Sequence, residues 1–244
     1  MLSAAIRSTL FWLLILINGC GLAADLQTIE NVRLVPTEWA DGDSFLVRFP
    51  DGTEHTLRLY GADAPEWHVT DDADARRLRA QRRYFGISNY GGTPAASIAL
   101  AKSQGEAAAA AVRVLLAEPF SVHTAFADAR GDSRYQRIYA FVTTAQGNDL
   151  ATLLVSAGQA RAFGVYRASP QGLRLEDYRD ALRDSELCAA SQHKGIWSYT
   201  DWAALAEERR AARVEESEIR VATGQALPTQ LVDINAASRD ELMA

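Results

Sequence analysis

Period-two alternation of apolar and polar residues organises the first quarter of the mature-looking chain. A short apolar run over Val32–Val35 predicts a first strand. From Ser44 to Phe49, Phe45, Val47 and Phe49 share one face, with Asp43 at the strand's mouth on the same parity. Pro50-Asp51-Gly52 is a hairpin turn, and Thr53–Tyr60 returns as a third strand with Leu57 and Leu59 on one face and Arg58 on the other. Strands resume at Phe120–Phe126 and, after a polar turn over Asp128–Ser133, at Arg137–Thr143; Ala160–Tyr166 reads as a last extended segment.

The helical period marks other stretches. Ser103-Gln104-Gly105-Glu106 fits a capping box opening an Ala-rich helix that runs to Ala117 and stops at Glu118-Pro119. Leu150–Ala157 is a short helix closed by Gly158, and Leu175, Tyr178 and Leu182 form the stripe of a helix reaching Lys194, with Gly195 as its C-terminal cap. The segment 67–102 is less regular: Asp71, Asp72 and Asp74, then Arg76, Arg77, Arg79, Arg82 and Arg83, then a Gly-rich stretch. Those arginines either follow a phosphate backbone or pair with the preceding aspartates on a solvated helix face. Residues 203–221, rich in Ala, Glu and Arg, suggest an exposed helical linker.

Candidate chemistry concentrates in Leu57–Glu66, L-R-L-Y-G-A-D-A-P-E. The strand breaks at Gly61, and Pro65 fixes its own φ and pushes Ala64 into an extended shape. Asp63 and Glu66 are thereby held in a defined relation, with one cation on the strand before them. Such a set suits a metal and a phosphate together; a surface Arg and an ordinary Asp-Pro turn would leave the same trace.

A length of 244 residues and a hydrophobic share of 48% allow one domain with extensions. The net charge of -6 excludes a polycation that coats nucleic acid, while leaving room for an enzyme that meets phosphate at one local site. Residues 1–23 read as a targeting segment, with Arg7 ahead of an apolar run over Leu10–Ile17 too short to span a bilayer. Two exits are open: cleavage after the small residues Gly21-Leu22-Ala23, or lipidation at Cys20 in a lipoprotein signal. Both predict export, to a periplasmic or extracellular setting, free or anchored to the membrane. Cys188 reads as a small buried hydrophobe, and the four histidines form no cluster, which disfavours a histidine-dependent mechanism.

Asp41-Gly42-Asp43, Arg58, Asp63-Ala64-Pro65-Glu66, Tyr135-Gln136-Arg137 and Ile196-Trp197-Ser198, in that order, resemble the staphylococcal nuclease (thermonuclease-like) family over residues 30–202. The resemblance implies an α+β fold, a five-stranded OB-type β-barrel with about three packed helices. It also implies calcium-dependent hydrolysis of phosphodiesters in DNA and RNA, single strands preferred. Carried over by position, Asp43, Asp63 and the Ala64 carbonyl look like calcium ligands and Asp41 like a nearby acid outside the ligand set. Glu66 looks like the general base, Arg58 and Arg137 like the phosphate-binding pair, and Tyr135 and Tyr166 like substrate contacts. Gly164 stands where the family has a tyrosine lining the nucleotide pocket, and the segment 67–104 replaces a shorter lysine-rich loop.

The alternative is an OB-type module that binds single-stranded nucleic acid without cutting it. Residues 203–226 read as a charged helical linker. The segment 227–244 resembles the opening of a helix-hairpin-helix DNA-binding module, with Ser238 as a helix cap and without the glycine hairpin that would follow.

Overall fold

A computed structural model describes residues 25–129 and 136–225. The targeting segment with Cys20, the expected substrate contact Tyr135, and the segment 227–244 with Ser238 lie outside the described residues.

Five strands carry the alternation read above: β1 (Gln27–Val35), β2 (Ser44–Arg48), β3 (Glu54–Leu59), β5 (Phe120–Asp128) and β6 (Arg137–Thr143). They close into a barrel in the order β1-β2-β3-β6-β5. Phe45, Val47, Leu57, Leu59, Val122, Ala140 and Val142 fill its interior. Their alternate neighbours therefore face outward, which is how Arg58 leaves the core between two buried leucines.

Register decides what those outward residues meet. Ser44 lies opposite Arg58 in the antiparallel β2–β3 pair, and the parallel β3–β6 pair sets Thr56 against Arg137 and Arg58 against Tyr139. A second, two-stranded sheet joins β4 (Ala62–Asp63) to β7 (Arg161–Ala162), with Asp63 opposite Arg161.

Five α-helices are present among the described residues, against about three packed helices and a charged helical linker expected. Helices α2 (Pro94–Leu115), α3 (Leu150–Ser156) and α4 (Leu175–Ser191) correspond to those anticipated. Helix α1 (Asp72–Tyr84) makes the arginine run a helix, the second of its two readings, and α5 (Leu205–Ala222) is the helix expected in the charged segment. The aspartates of the first account for its start: Asp71 caps it by accepting from Asp74 N (2.8 Å).

The capping box at Ser103 is not used. Helix α2 begins nine residues earlier, with Thr93 as its cap and Pro94 in its first turn, and the Ser103 hydroxyl bonds back to Leu100 O (2.7 Å). Gly105 serves contact instead, since a Cβ there would lie 2.2 Å from Pro65 O. The absent side chain lets α2 press directly on the Asp63–Glu66 turn. Helix α4 also ends before its anticipated glycine: His193 takes a left-handed φ of 52°, and Lys194 N and His193 N bond back to Ala189 O and Ala190 O.

A second core lies outside the barrel. Leu78 of α1 and Phe85 at its C-terminal cap, with Ile87, Leu100, Ala101, Ala189, Ala190, Ile196 and Trp197, form it. Helix α5 rests on the far side of α1. There Glu215 takes ion pairs from Arg79 and Arg83, and Arg209 lies 4.5 Å from the Tyr84 ring centroid.

Candidate active site

The site is assembled where the barrel's flank meets the turn over Asp63–Glu66. Arg58 sits between two aspartates: Nη1 donates to Asp43 Oδ1 and Nη2 to Asp63 Oδ1, both at 2.7 Å. Asp43 is 1% exposed and Asp63 4%, so water cannot carry their charge and protein donors must. Asp43 Oδ2 accepts from Ala64 N (2.8 Å), and its Oδ1 also accepts from the Ser44 hydroxyl (3.1 Å). Asp63 Oδ2 accepts from Arg161 Nε (2.8 Å) and Gln81 Nε2 (3.0 Å).

Arg137 joins them through Ser44. The Ser44 hydroxyl oxygen receives Arg58 Nη1 at 3.3 Å and Arg137 Nη1 at 3.4 Å, so two guanidiniums from neighbouring parallel strands converge on one atom. Glu66 lies on the same turn, with its backbone N–H on Gln81 Oε1 (2.8 Å) and its Oε1 accepting from Arg77 Nε (2.8 Å). Asp41 Oδ1 accepts from Asp43 N (3.1 Å) and Ser44 N (2.5 Å), pinning the entry to β2. Tyr166 packs on the barrel core; a Cβ at Gly61 would lie 3.0 Å from its ring, and among the described residues its buried hydroxyl has no hydrogen-bond partner.

Charge in this cluster is unevenly compensated. Burial alone would raise Asp63, but Arg161, Arg58 and the Gln81 amide outweigh it and hold the carboxyl below the ordinary range. Burial would lower Arg58, yet Asp43, Asp63 and Asp41 keep its guanidinium charged and raise it further. Asp41 goes the other way: burial and then the Asp43 carboxylate lift it well above the usual value. Burial pushes Glu66 up to about 7 against the pull of Arg77, with Asp43 and Asp63 adding to the rise.

Four carboxylates thus share a nearly dry patch, and burial together with the neighbouring carboxylates makes two of them, Asp41 and Glu66, harder to ionise. Asp43, Asp63 and the Ala64 carbonyl present hard oxygens of the kind that calcium takes, and in this structure Arg58, Arg161, Gln81 and the Ala64 N–H already engage them. Two side chains and a carbonyl make a sparse set: among the described residues, no group of three or more His, Cys, Asp or Glu stands in metal-holding array.

Sequence reasoning missed Ser44, Arg77, Gln81 and Arg161. Ser44 follows Asp-Gly-Asp directly and was legible as a strand opening only. Arg161 is 8% exposed and runs between the Tyr84 and Phe163 rings, at 4.8 and 4.0 Å from their centroids. Arg77 and Gln81 come from α1, where no strand or turn signal pointed toward the site. The two readings of the arginine run resolve toward pairing within the protein, with Arg77 and Arg79 half exposed. Arg77 pairs with Asp74 and Glu66, Arg79 and Arg83 with Glu215, and Arg82 with the Ser97 hydroxyl.

A small barrel with carboxylates and guanidiniums converging on its flank defines an α+β protein equipped to meet an anion at one point. The family model for staphylococcal nuclease homologue matches residues 56–199, more than half of the 244-residue chain. The chain belongs to that family. The matched stretch contains Arg58, Asp63, Ala64, Glu66, Arg137 and Tyr166, while Asp41 and Asp43 stand upstream of it. Membership points to a nuclease or a nucleic-acid-binding module. No curated protein matches the chain.

Proposed function

We propose that this protein is an exported, calcium-dependent nuclease that hydrolyses phosphodiesters of DNA and RNA, with single strands preferred. The observation that carries the reading is the meeting of Arg58 and Arg137 at Ser44, beside Asp43 and Asp63 and on the turn that holds Glu66. The barrel is read as OB-type, residues 30–202 as the nuclease domain, and the helix beyond as a charged extension.

In this mechanism Asp43, Asp63 and the Ala64 carbonyl hold the cation. Bound there, calcium supplies Lewis acidity and a template for the phosphate oxygens. Arg58 spends three of its five N–H donors on Asp43, Asp63 and Ser44, and the remaining donors are available to a non-bridging oxygen. Arg137 supplies the second guanidinium, whose planar fork suits a phosphate oxygen pair. Glu66 accepts the proton of the attacking water. Its elevated ionisation point places it near neutrality, where a general base is most effective. Tyr135 and Tyr166 are assigned to the substrate, and Asp41 supports the loop that aims Asp43.

Export through the targeting segment, with either a free or a Cys20-anchored product, belongs to the same proposal. Mass measurement of the mature N-terminus decides between the two. The functional test is direct: purified protein degrades single-stranded DNA in calcium, and EDTA stops it. Retention of intact DNA on a filter with no cleavage in calcium would instead establish a binding module.

A further inference from the structure

We propose that Gln81 is a positioning residue of the active site, and that helix α1 is through it a working part of the site. The inference rests on the nuclease reading above. Gln81 is 1% exposed, and one amide binds three groups of the same turn: Nε2 donates to Asp63 Oδ2 (3.0 Å) and to Ala64 O (2.8 Å), and Oε1 accepts from Glu66 N (2.8 Å). Both amide hydrogens are thereby used on the turn. Turning the amide over would set its NH2 against the Glu66 N–H, so these partners also fix its orientation.

The residue is rigidly based. Leu78 and Phe85, three positions before and four after it, are buried in the second core, and Arg77, one turn back, reaches Glu66. Asp63 is clamped between Gln81, Arg161 and Arg58, and the Ala64 carbonyl has Gln81 as its donor. Gln81 touches neither phosphate nor water in the proposed reaction. It aims two of the groups assigned to the cation and steadies the backbone of the base.

The test is Gln81→Met, which keeps the volume and removes all three bonds, measured for kcat and KM on single-stranded DNA and for calcium affinity by calorimetry without substrate. Outer groups that orient ligands are worth about 10–100-fold, so kcat falls and calcium Kd rises by that order while KM holds. Leu78→Val, buried on the same helix, separates aim from stability: it lowers Tm with kcat and calcium Kd kept. Gln81→Asn, which retains a buried amide but shortens its reach, moves kcat and Kd in the same direction as Gln81→Met and serves should the latter fail to fold. Gln81 variants that match Leu78→Val in both kcat and calcium Kd overturn the proposal. If the wild-type protein binds calcium but cleaves nothing, the nuclease reading fails by itself, and calcium Kd alone still decides Gln81. Absence of calcium binding in the wild type overturns both.

Discussion

On the barrel side of the site, Asp43, Ser44, Arg58 and Arg137 stand on or beside strands whose hydrogen-bonded register leaves them little choice of position. On the helical side, Arg77 and Gln81 reach the same turn from a helix anchored in a separate core. The first set is placed by backbone ladders; the second, one guanidinium and one neutral amide, is placed by the packing of its helix. The site is therefore a seam between two apolar clusters that share helices α2 and α4. Its chemistry is concentrated on one side, and its aim depends on both.

The comparison breaks first at the guanidiniums. Arg137→Ala removes a donor directed at the phosphate without leaving a buried carboxylate bare, and kcat on single-stranded DNA is expected to fall by about 10²–10³-fold. An unchanged kcat would confine the chemistry to Arg58 and the acids. Next in size is Trp197→Ala in the second core, expected to cost about 3–5 kcal/mol of stability by denaturant titration. Hydrogen exchange should show amides of α1 losing protection while those of β2 and β3 keep theirs. Equal loss in both regions would mean that the two cores act as one.

The smallest effect expected is on pH dependence. The Arg77 guanidinium favours the charged form of Glu66, so its removal raises the pH at which Glu66 ionises. The base works only when ionised, and the acid limb of kcat/KM in Arg77→Ala should move to higher pH than in wild type. Because Arg77 is half exposed, the shift should be under about one pH unit. A limb that stays put would remove Arg77 from the electrostatics of the base.

What the chain discloses before folding follows the same seam. Leu57 and Leu59 enclosing Arg58, and Asp63-Ala64-Pro65-Glu66 after them, state their geometry locally, because alternation and proline act over a few residues. The strands of the barrel were legible for that reason, as were the acids and arginines carried on them. Helix α1 was legible only as one of two readings, because its arginines and aspartates give it little apolar stripe, and Gln81 gains meaning only through partners well upstream. Ser103 misled for a related cause: a capping pattern in the middle of a longer helix is indistinguishable from one at its start until Thr93-Pro94 is seen to open the helix. Arg161 illustrates the last kind of loss, since only the pairing of β4 with β7 brings it to Asp63.

Glu66→Gln tests the central claim most directly, compared with wild type on saturating single-stranded DNA in calcium. The substitution preserves shape and removes the proton acceptor, so kcat should fall by about 10²–10⁴-fold with KM nearly unchanged. Wild-type turnover by Glu66→Gln would contradict the account.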